Sequence, residues 1–127
     1  MRLKNFSLVF GVQLFNELSE EQRVIILNLM FMKGEMCITD LEIILEFTQA
    51  KTSRHLSYLK NSGIVNSRKE DQWVFYSIKE EVTDLIKLIF DYFNKDHILK
   101  KDLENFETLL KQDELAKFHQ KEKSYLE

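Results

Sequence analysis

Thr48-Gln49-Ala50-Lys51-Thr52-Ser53-Arg54-His55-Leu56-Ser57-Tyr58-Leu59 is the stretch on which the reading of this chain turns. Thr52, Leu56 and Leu59 recur at i, i+4 and i+7, which puts them on one face of a helix. The remaining surface carries Gln49, Lys51, Ser53, Arg54, Ser57 and, just beyond the quoted run, Lys60. That set donates hydrogen bonds and holds only positive charge. A helix lying in a major groove needs such a surface to touch phosphates and base edges. Ordinary solvated helix faces also carry Lys and Arg, so this helix by itself leaves both readings open.

Its neighbours narrow the choice. Thr48 suits the N-cap, because its hydroxyl can accept from an amide of the first turn. Lys60 in the last turn and a left-handed cap at Gly63 predict an end at Asn61-Ser62-Gly63. Upstream, Thr39-Asp40-Leu41-Glu42 has the pattern of a capping box opening a short helix, with Leu41, Ile44 and Leu45 inward. Phe47-Thr48 is a tight break. Downstream, Ile64 to Lys69 and Trp73 to Ile78 read as two short strands, rich in β-branched and aromatic residues and joined by the polar turn Glu70-Asp71-Gln72. Helix, break, helix, glycine and hairpin follow one another in the order of a winged helix-turn-helix. Residues 39–78 are therefore read as helix-turn-helix plus wing.

Residues from about Asn5 to Leu18 read as a helix with a broad apolar face of Phe6, Val9, Phe10, Leu14 and Phe15. Ser19-Glu20-Glu21-Gln22 has the pattern of a capping box, with acids complementing the dipole of the helix it opens. That helix runs to about Met32 and is apolar on most of its circumference, as a central core helix should be. Lys33-Gly34-Glu35 is a turn. Beyond the hairpin, Glu80 to about Phe93 is a strongly apolar helix, interrupted at Asn94-Lys95-Asp96-His97. A last helix places Leu99, Leu103, Phe106, Leu110 and Phe118 at helical spacing. Apolar helices outside a small core need a cover. A second copy of the chain is the preferred one and suits two half-sites on DNA, making 1–18 and 80–127 mainly dimerisation helices. The other cover is the core of the same chain. The fold expected is mainly α with a small β-hairpin.

The chain has 127 residues, the size of a single domain with a real core, and is 44% hydrophobic and 31% charged. No apolar run is long enough to span a bilayer. Met1-Arg2-Lys4 before Phe6-Ser7-Leu8-Val9-Phe10 has a faint look of a signal peptide. Gln13, Asn16 and Glu17 arrive too soon, and a cytoplasmic protein is expected. The net charge of −3 argues against indiscriminate coating of nucleic acid. Yet from Gln49 to Lys69 the charged residues are Lys51, Arg54, Lys60, Arg68 and Lys69, with no acid among them. Cys37 is the only cysteine, which excludes an intrachain disulfide and any multi-thiolate metal site within one chain.

Ordered motifs then resemble those of a known family. Leu18-Ser19-Glu20-Glu21-Gln22-Arg23-Val24-Ile25-Ile26-Leu27 resembles the Leu-Ser-Asp-Pro-Thr-Arg-x-x-Ile-Leu opening of the ArsR/SmtB family of bacterial repressors. Glu35-Met36-Cys37-Ile38-Thr39-Asp40-Leu41 is similar to its Glu-Leu-Cys-Val-Cys-Asp-Leu. The run Thr48 to Leu59 is similar to its Ser-Gln-x-x-Val-Ser-x-His-Leu-x-x-Leu recognition helix. Ser62-Gly63-Ile64-Val65 and Trp73-Val74-Phe75-Tyr76 resemble its Ala-Gly-Leu-Val and wing strand. The match covers about Leu18 to Ile78. It implies a homodimeric winged-helix repressor, with the family's first and fifth helices at the dimer interface. Departures bear on regulation. One family metal site uses a Cys-x-Cys pair; Cys37 matches its first member, but Thr39 replaces the second. Another uses carboxylate and imidazole ligands on the fifth helix. Glu80 to Lys95 contains no His, and Tyr92 and Lys95 stand about where a His and a Glu belong. Metal sensing at either site is therefore not expected. At the wing tip Asp71 and Gln72 replace the usual Gly-Arg, and Glu70 and Asp71 make the tip a poor phosphate contact.

The candidate DNA-binding residues are Thr48, Gln49, Lys51, Ser53, Arg54, Ser57, Lys60, Arg68 and Lys69. Arg54 is suited to phosphate or guanine and Gln49 to adenine. His55 is read as a structural residue under the helix. Cys37 is the one redox candidate, since a helix N-terminus lowers a thiol pKa; a small buried core residue is its other reading. His97 beside Asp96, and His119 near Glu122, are read as surface residues rather than ligands. Trp73, Phe75 and Tyr76 have the chemistry to stack single-stranded bases, but their alternation on a hairpin reads as core. No Gly-rich phosphate loop or nucleophile–base spacing is present, so no enzyme, cofactor or small-molecule substrate is expected. The function expected is a sequence-specific transcriptional regulator, a repressor, reading a dyad-symmetric operator of double-stranded DNA with Gln49 to Asn61. The alternatives are a winged-helix protein-interaction module and a repressor switched by redox or metal at Cys37.

Overall fold

Around the decisive stretch the chain folds as α3 (Ile38–Leu45), a short turn, and α4 (Gln49–Asn61). The caps are local chemistry. Thr48 Oγ1 accepts the amide of Lys51 at 3.2 Å, and Thr52 Oγ1 donates to the Thr48 carbonyl at 2.9 Å. At the other end Gly63 has φ +81. The amide of Ile64 then reaches the Leu59 carbonyl at 3.0 Å and that of Gly63 the Lys60 carbonyl at 3.1 Å, the paired bonds of a Schellman motif. The turn between the helices is made by Glu46, at φ +59, and Phe47. A side chain in this left-handed region costs about 1–2 kcal/mol.

The computed structural model describes residues 6–93 and 95–112. The order is α1 (Leu8–Glu17), α2 (Glu21–Lys33), β1 (Met36–Cys37), α3, α4, β2 (Val65–Glu70), β3 (Trp73–Ile78), α5 (Glu80–Phe90), a 3-10 turn (Asp91–Phe93) and α6 (His97–Lys111). The central helix is α2, whose Ile26, Leu27 and Leu29 are fully buried against Leu41, Leu56, Leu59, Ile64 and Ile86. The sheet is antiparallel with order β1-β3-β2. In it Glu70 pairs with Trp73 and belongs to the ladder, so the tip is Asp71-Gln72, with Asp71 at φ +55. The third strand was not expected. Met36 pairs with Tyr76 and Cys37 with Phe75.

Both expected capping boxes are corrected. The N-cap of α2 is Glu20, without a side-chain cap bond. Ser19 instead donates from Oγ to the Asn16 carbonyl at 2.6 Å, closing α1 rather than opening α2. Gln22, expected to reach back to the cap, engages His55. The N-cap of α3 is Cys37, because the β1 strand runs directly into the helix and leaves Thr39 two residues too late. The fifth helix is α-helical only to Phe90.

The use of α6 also differs from expectation. Asp96 caps it, accepting the amides of Ile98 at 2.9 Å and Leu99 at 3.3 Å. Its apolar stripe then buries Leu99, Phe106 and Leu110 against α2 and α3 of the same chain. Asn105 donates to the Ile44 carbonyl at 3.5 Å, and Lys33 pairs with Glu107. This stripe is therefore not left for a second copy. Phe118, His119 and Glu122 lie outside the described residues. Among the large apolar side chains that stay exposed are Leu8, Val9, Val12 and Phe15 on α1 and Leu88 and Tyr92 at the α5 end.

Candidate nucleic-acid interface

Helix α4 divides as its periodicity dictates. Thr52, His55, Leu56 and Leu59 are buried, while Gln49, Arg54, Ser57 and Lys60 are exposed and Lys51 and Ser53 half-exposed. Thr48 is exposed at the cap. No acid lies on this face. Among the described residues Arg54 has no ion-pair partner. Lys51 Nζ stands 4.4 Å over the ring of Phe47, which holds it at the first turn by a cation–π contact. Lys60 Nζ donates to Ser67 Oγ at 2.7 Å, tying the last turn to β2.

The wing cations are placed differently. Arg68 donates from Nε and a terminal nitrogen to both oxygens of Glu35, each at 2.7 Å, and lies 3.7 Å from Glu70. Its guanidinium also covers the Phe75 ring at 4.9 Å. The hydrogen bonds to Glu35 raise its pKa further. This bidentate pairing uses the same fork that would grip a phosphate. Arg68 thus does not join the α4 group as a free cation. Lys69 is exposed on β2 opposite Val74. Glu35 gave no local signal of this role, lying 33 residues before its partner.

Arg23 and Gln22 of α2 have supporting roles that escaped the sequence reading. Arg23 of α2, nearly buried, donates to the Glu17 carbonyl at 2.8 Å and the Asn16 carbonyl at 3.2 Å. It thereby satisfies carbonyls at the end of α1, and it pairs with Glu20 at 3.0 Å and Glu17 at 3.3 Å. Its guanidinium lies 5.8 Å over the half-exposed ring of Tyr58 on α4. Gln22 Oε1 lies 3.0 Å from His55 Nε2, with Glu20 at 3.5 Å. Burial lowers the His55 pKa, outweighing the opposing Glu20 charge, so the ring is neutral. His55 is structural, and α2 positions the helix through it.

Cys37 is 1% exposed. Burial, and then the negative Asp40 alongside, pushes its thiol up to about 12. Reactive thiolates need the opposite setting, electropositive and partly open. Among the described residues no three His, Cys, Asp or Glu side chains gather as a metal site. No described helix is long and apolar enough to cross a membrane.

The fold and this exposed helix define a winged helix-turn-helix protein of the DNA-binding regulator class. The chain belongs to the arsR family of bacterial regulatory proteins, whose profile matches residues 20–67. It is 36% identical over 85 residues to the arsenical resistance operon repressor of Escherichia coli K12, covering 67% of this chain and 73% of that protein. The solved structure of HlyU from Vibrio cholerae N16961 is similar at a TM-score of 0.61, with 35% identity over 66% of this chain and 91% of that one. A Mycobacterium bovis domain described as a homodimeric winged helix-turn-helix shares the fold at a TM-score of 0.61, with 24% identity over 70% of this chain and 82% of that one. The family is one of bacterial regulatory proteins and the Escherichia coli relative is an operon repressor, so the chain falls among transcriptional regulators, not enzymes.

Proposed function

We propose that this chain is a cytoplasmic, homodimeric repressor that reads a dyad-symmetric operator with α4. The observation carrying the reading is the acid-free exposed face of α4, with Arg54 unpaired among the described residues and Gln49, Ser53 and Ser57 beside it. Such a face combines phosphate attraction with donors and acceptors for base edges. Dimerisation follows from a second set of residues. Leu8, Val12 and Phe15 recur at i, i+4 and i+7 on α1 and are 84%, 58% and 70% exposed, with Leu88 and Tyr92 similarly bare. A two-fold copy would cover this apolar surface and present two α4 helices to successive grooves. The homodimeric state described for the Mycobacterium bovis domain supports the same arrangement.

The arsenical repressor is named for a soft metalloid, but the residues here do not fit such a ligand. The single cysteine is buried with its thiol held neutral, and the stretch from Glu80 to Lys95 has no His. A soft ion needs several thiolate or imidazole ligands, so neither usual family site responds to metal.

Selection of duplexes from a random library, followed by sedimentation of the complex, tests the reading. The expected outcome is a palindromic consensus bound by two chains. Failure to enrich any sequence over random duplex would remove it in favour of the protein-interaction module.

A further inference from the structure

Between α6, α2 and the α3–α4 turn lies a cavity of about 400 Å³, within the range of small-molecule sites. Its apolar lining is Ile25, Ile44, Leu45, Phe47 and Ile98. A neighbouring cavity of about 270 Å³ shares Ile25 and Ile98 with it. A third, of about 190 Å³, shares Ile44, Glu46 and Asn105. Shared walls make the three one groove along α6.

The charges along it are unbalanced. Glu46 and Asp102 line the central cavity and Glu21 and Asp96 the first neighbour, against Lys101 as the one Lys or Arg. Asp96 is occupied as the α6 cap. Asp102 is half-buried and has no hydrogen bond or ion pair to a described residue. Burial raises its carboxyl pKa against the opposing pull of Lys101. A partly desolvated carboxylate without a donor is stabilised by a cation that brings its own N–H groups.

We propose that this groove binds a small organic cation with an apolar body, its ammonium between Asp102 and Glu46 and its body against Ile25, Ile44 and Ile98. Occupancy is transmitted to DNA recognition through Phe47. That ring lines the cavity and carries Lys51 Nζ at 4.4 Å, so a ligand displacing Phe47 displaces a cation at the first turn of α4. The transmission rests on the reading of α4 as the DNA-binding helix; the binding does not.

Octylammonium, octanoate and octanol, matched in chain length, separate charge from apolarity. Amide shifts of the isotope-labelled full chain without DNA read the binding. Octylammonium should shift the amides of Phe47, Ile98 and Asp102, with octanol weaker and octanoate weakest. Glu46→Gln with Asp102→Asn should weaken octylammonium roughly tenfold. Unlocalised shifts, or equal binding of octanoate, would overturn the site. Anisotropy with the duplex enriched by selection then reads the coupling, where octylammonium should change DNA affinity about fivefold or more. Localised binding with unchanged DNA affinity would overturn the transmission alone. A protein that binds octylammonium but enriches no duplex would overturn the DNA-binding reading and leave the site standing.

Discussion

Oε1 of Gln22 lies 3.0 Å from Nε2 of His55, joining the central helix α2 to the buried side of α4. The amide oxygen only accepts, so Nε2 carries the hydrogen and donates, and burial keeps the ring otherwise unprotonated by lowering its pKa. An unfolded chain therefore binds more protons than the native one below the ordinary histidine value of about 6.5. The stability contributed by neutral His55 is complete above that value and is lost as pH falls through the lower native one. Urea midpoints should drop between pH 7 and 5, and His55→Gln should flatten that dependence. An identical slope in the variant would remove His55 as its source.

Among the described residues Arg54 has no ion-pair partner and offers its fork on the outer face of α4. Arg54→Ala should weaken binding to the enriched duplex by about 1–3 kcal/mol and reduce the salt slope by about one. Fluorescence anisotropy across a salt series measures both, and an unchanged slope would deny Arg54 a phosphate contact.

Glu35 holds the wing guanidinium that a phosphate would otherwise take. Glu35→Gln should tighten DNA binding and steepen the salt slope, because it removes the carboxylate that grips Arg68 in a fork while Glu70 stays beside it. Arg68→Ala in the native background should have a smaller effect than Arg54→Ala. Equal losses from the two alanine variants would contradict this division.

Glu46 occupies the left-handed region at φ +59, a conformation that glycine adopts without steric penalty. Glu46→Gly should stabilise the fold by about 0.5–1 kcal/mol, after offsetting the greater freedom of glycine in the unfolded chain. Equilibrium urea unfolding checks the sign.

Cys37, with its thiol pushed up to about 12, should react slowly with disulfide reagents at pH 8 and rapidly once urea unfolds the chain. Folding raises this pKa above the unfolded value, so the stability it contributes holds below about pH 9 and is lost as pH rises toward the native value. Fast modification of native protein would revive a redox role.

The helix α4 was legible because its signals are local: the hydroxyl of Thr48, the stripe Thr52–Leu56–Leu59 and the glycine stop at Gly63. The hairpin was legible for the same reason. The strand Met36–Cys37 was not, since a run of two residues carries no period and its partner lies near residue 76. Ser19 and Thr39 failed as caps because a neighbouring carbonyl and a strand pairing outcompeted the pattern. The stripe on α6 announced that something must cover it without saying what. Arg68 reads as a phosphate contact, and its pairing with Glu35, 33 residues away, left no local mark in the sequence.

Because Cys37 pairs with Phe75, the segment carrying α3, α4 and β2 is closed into one loop by the sheet. Its ends are stapled about 5 Å apart by the ladder, so the reading helix and the wing share one rigid frame. The same pairing makes the unit slow to begin and hard to melt in part. Closing so long a loop sacrifices chain entropy before α3 and α4 gain their packing, and releasing it frees both helices together.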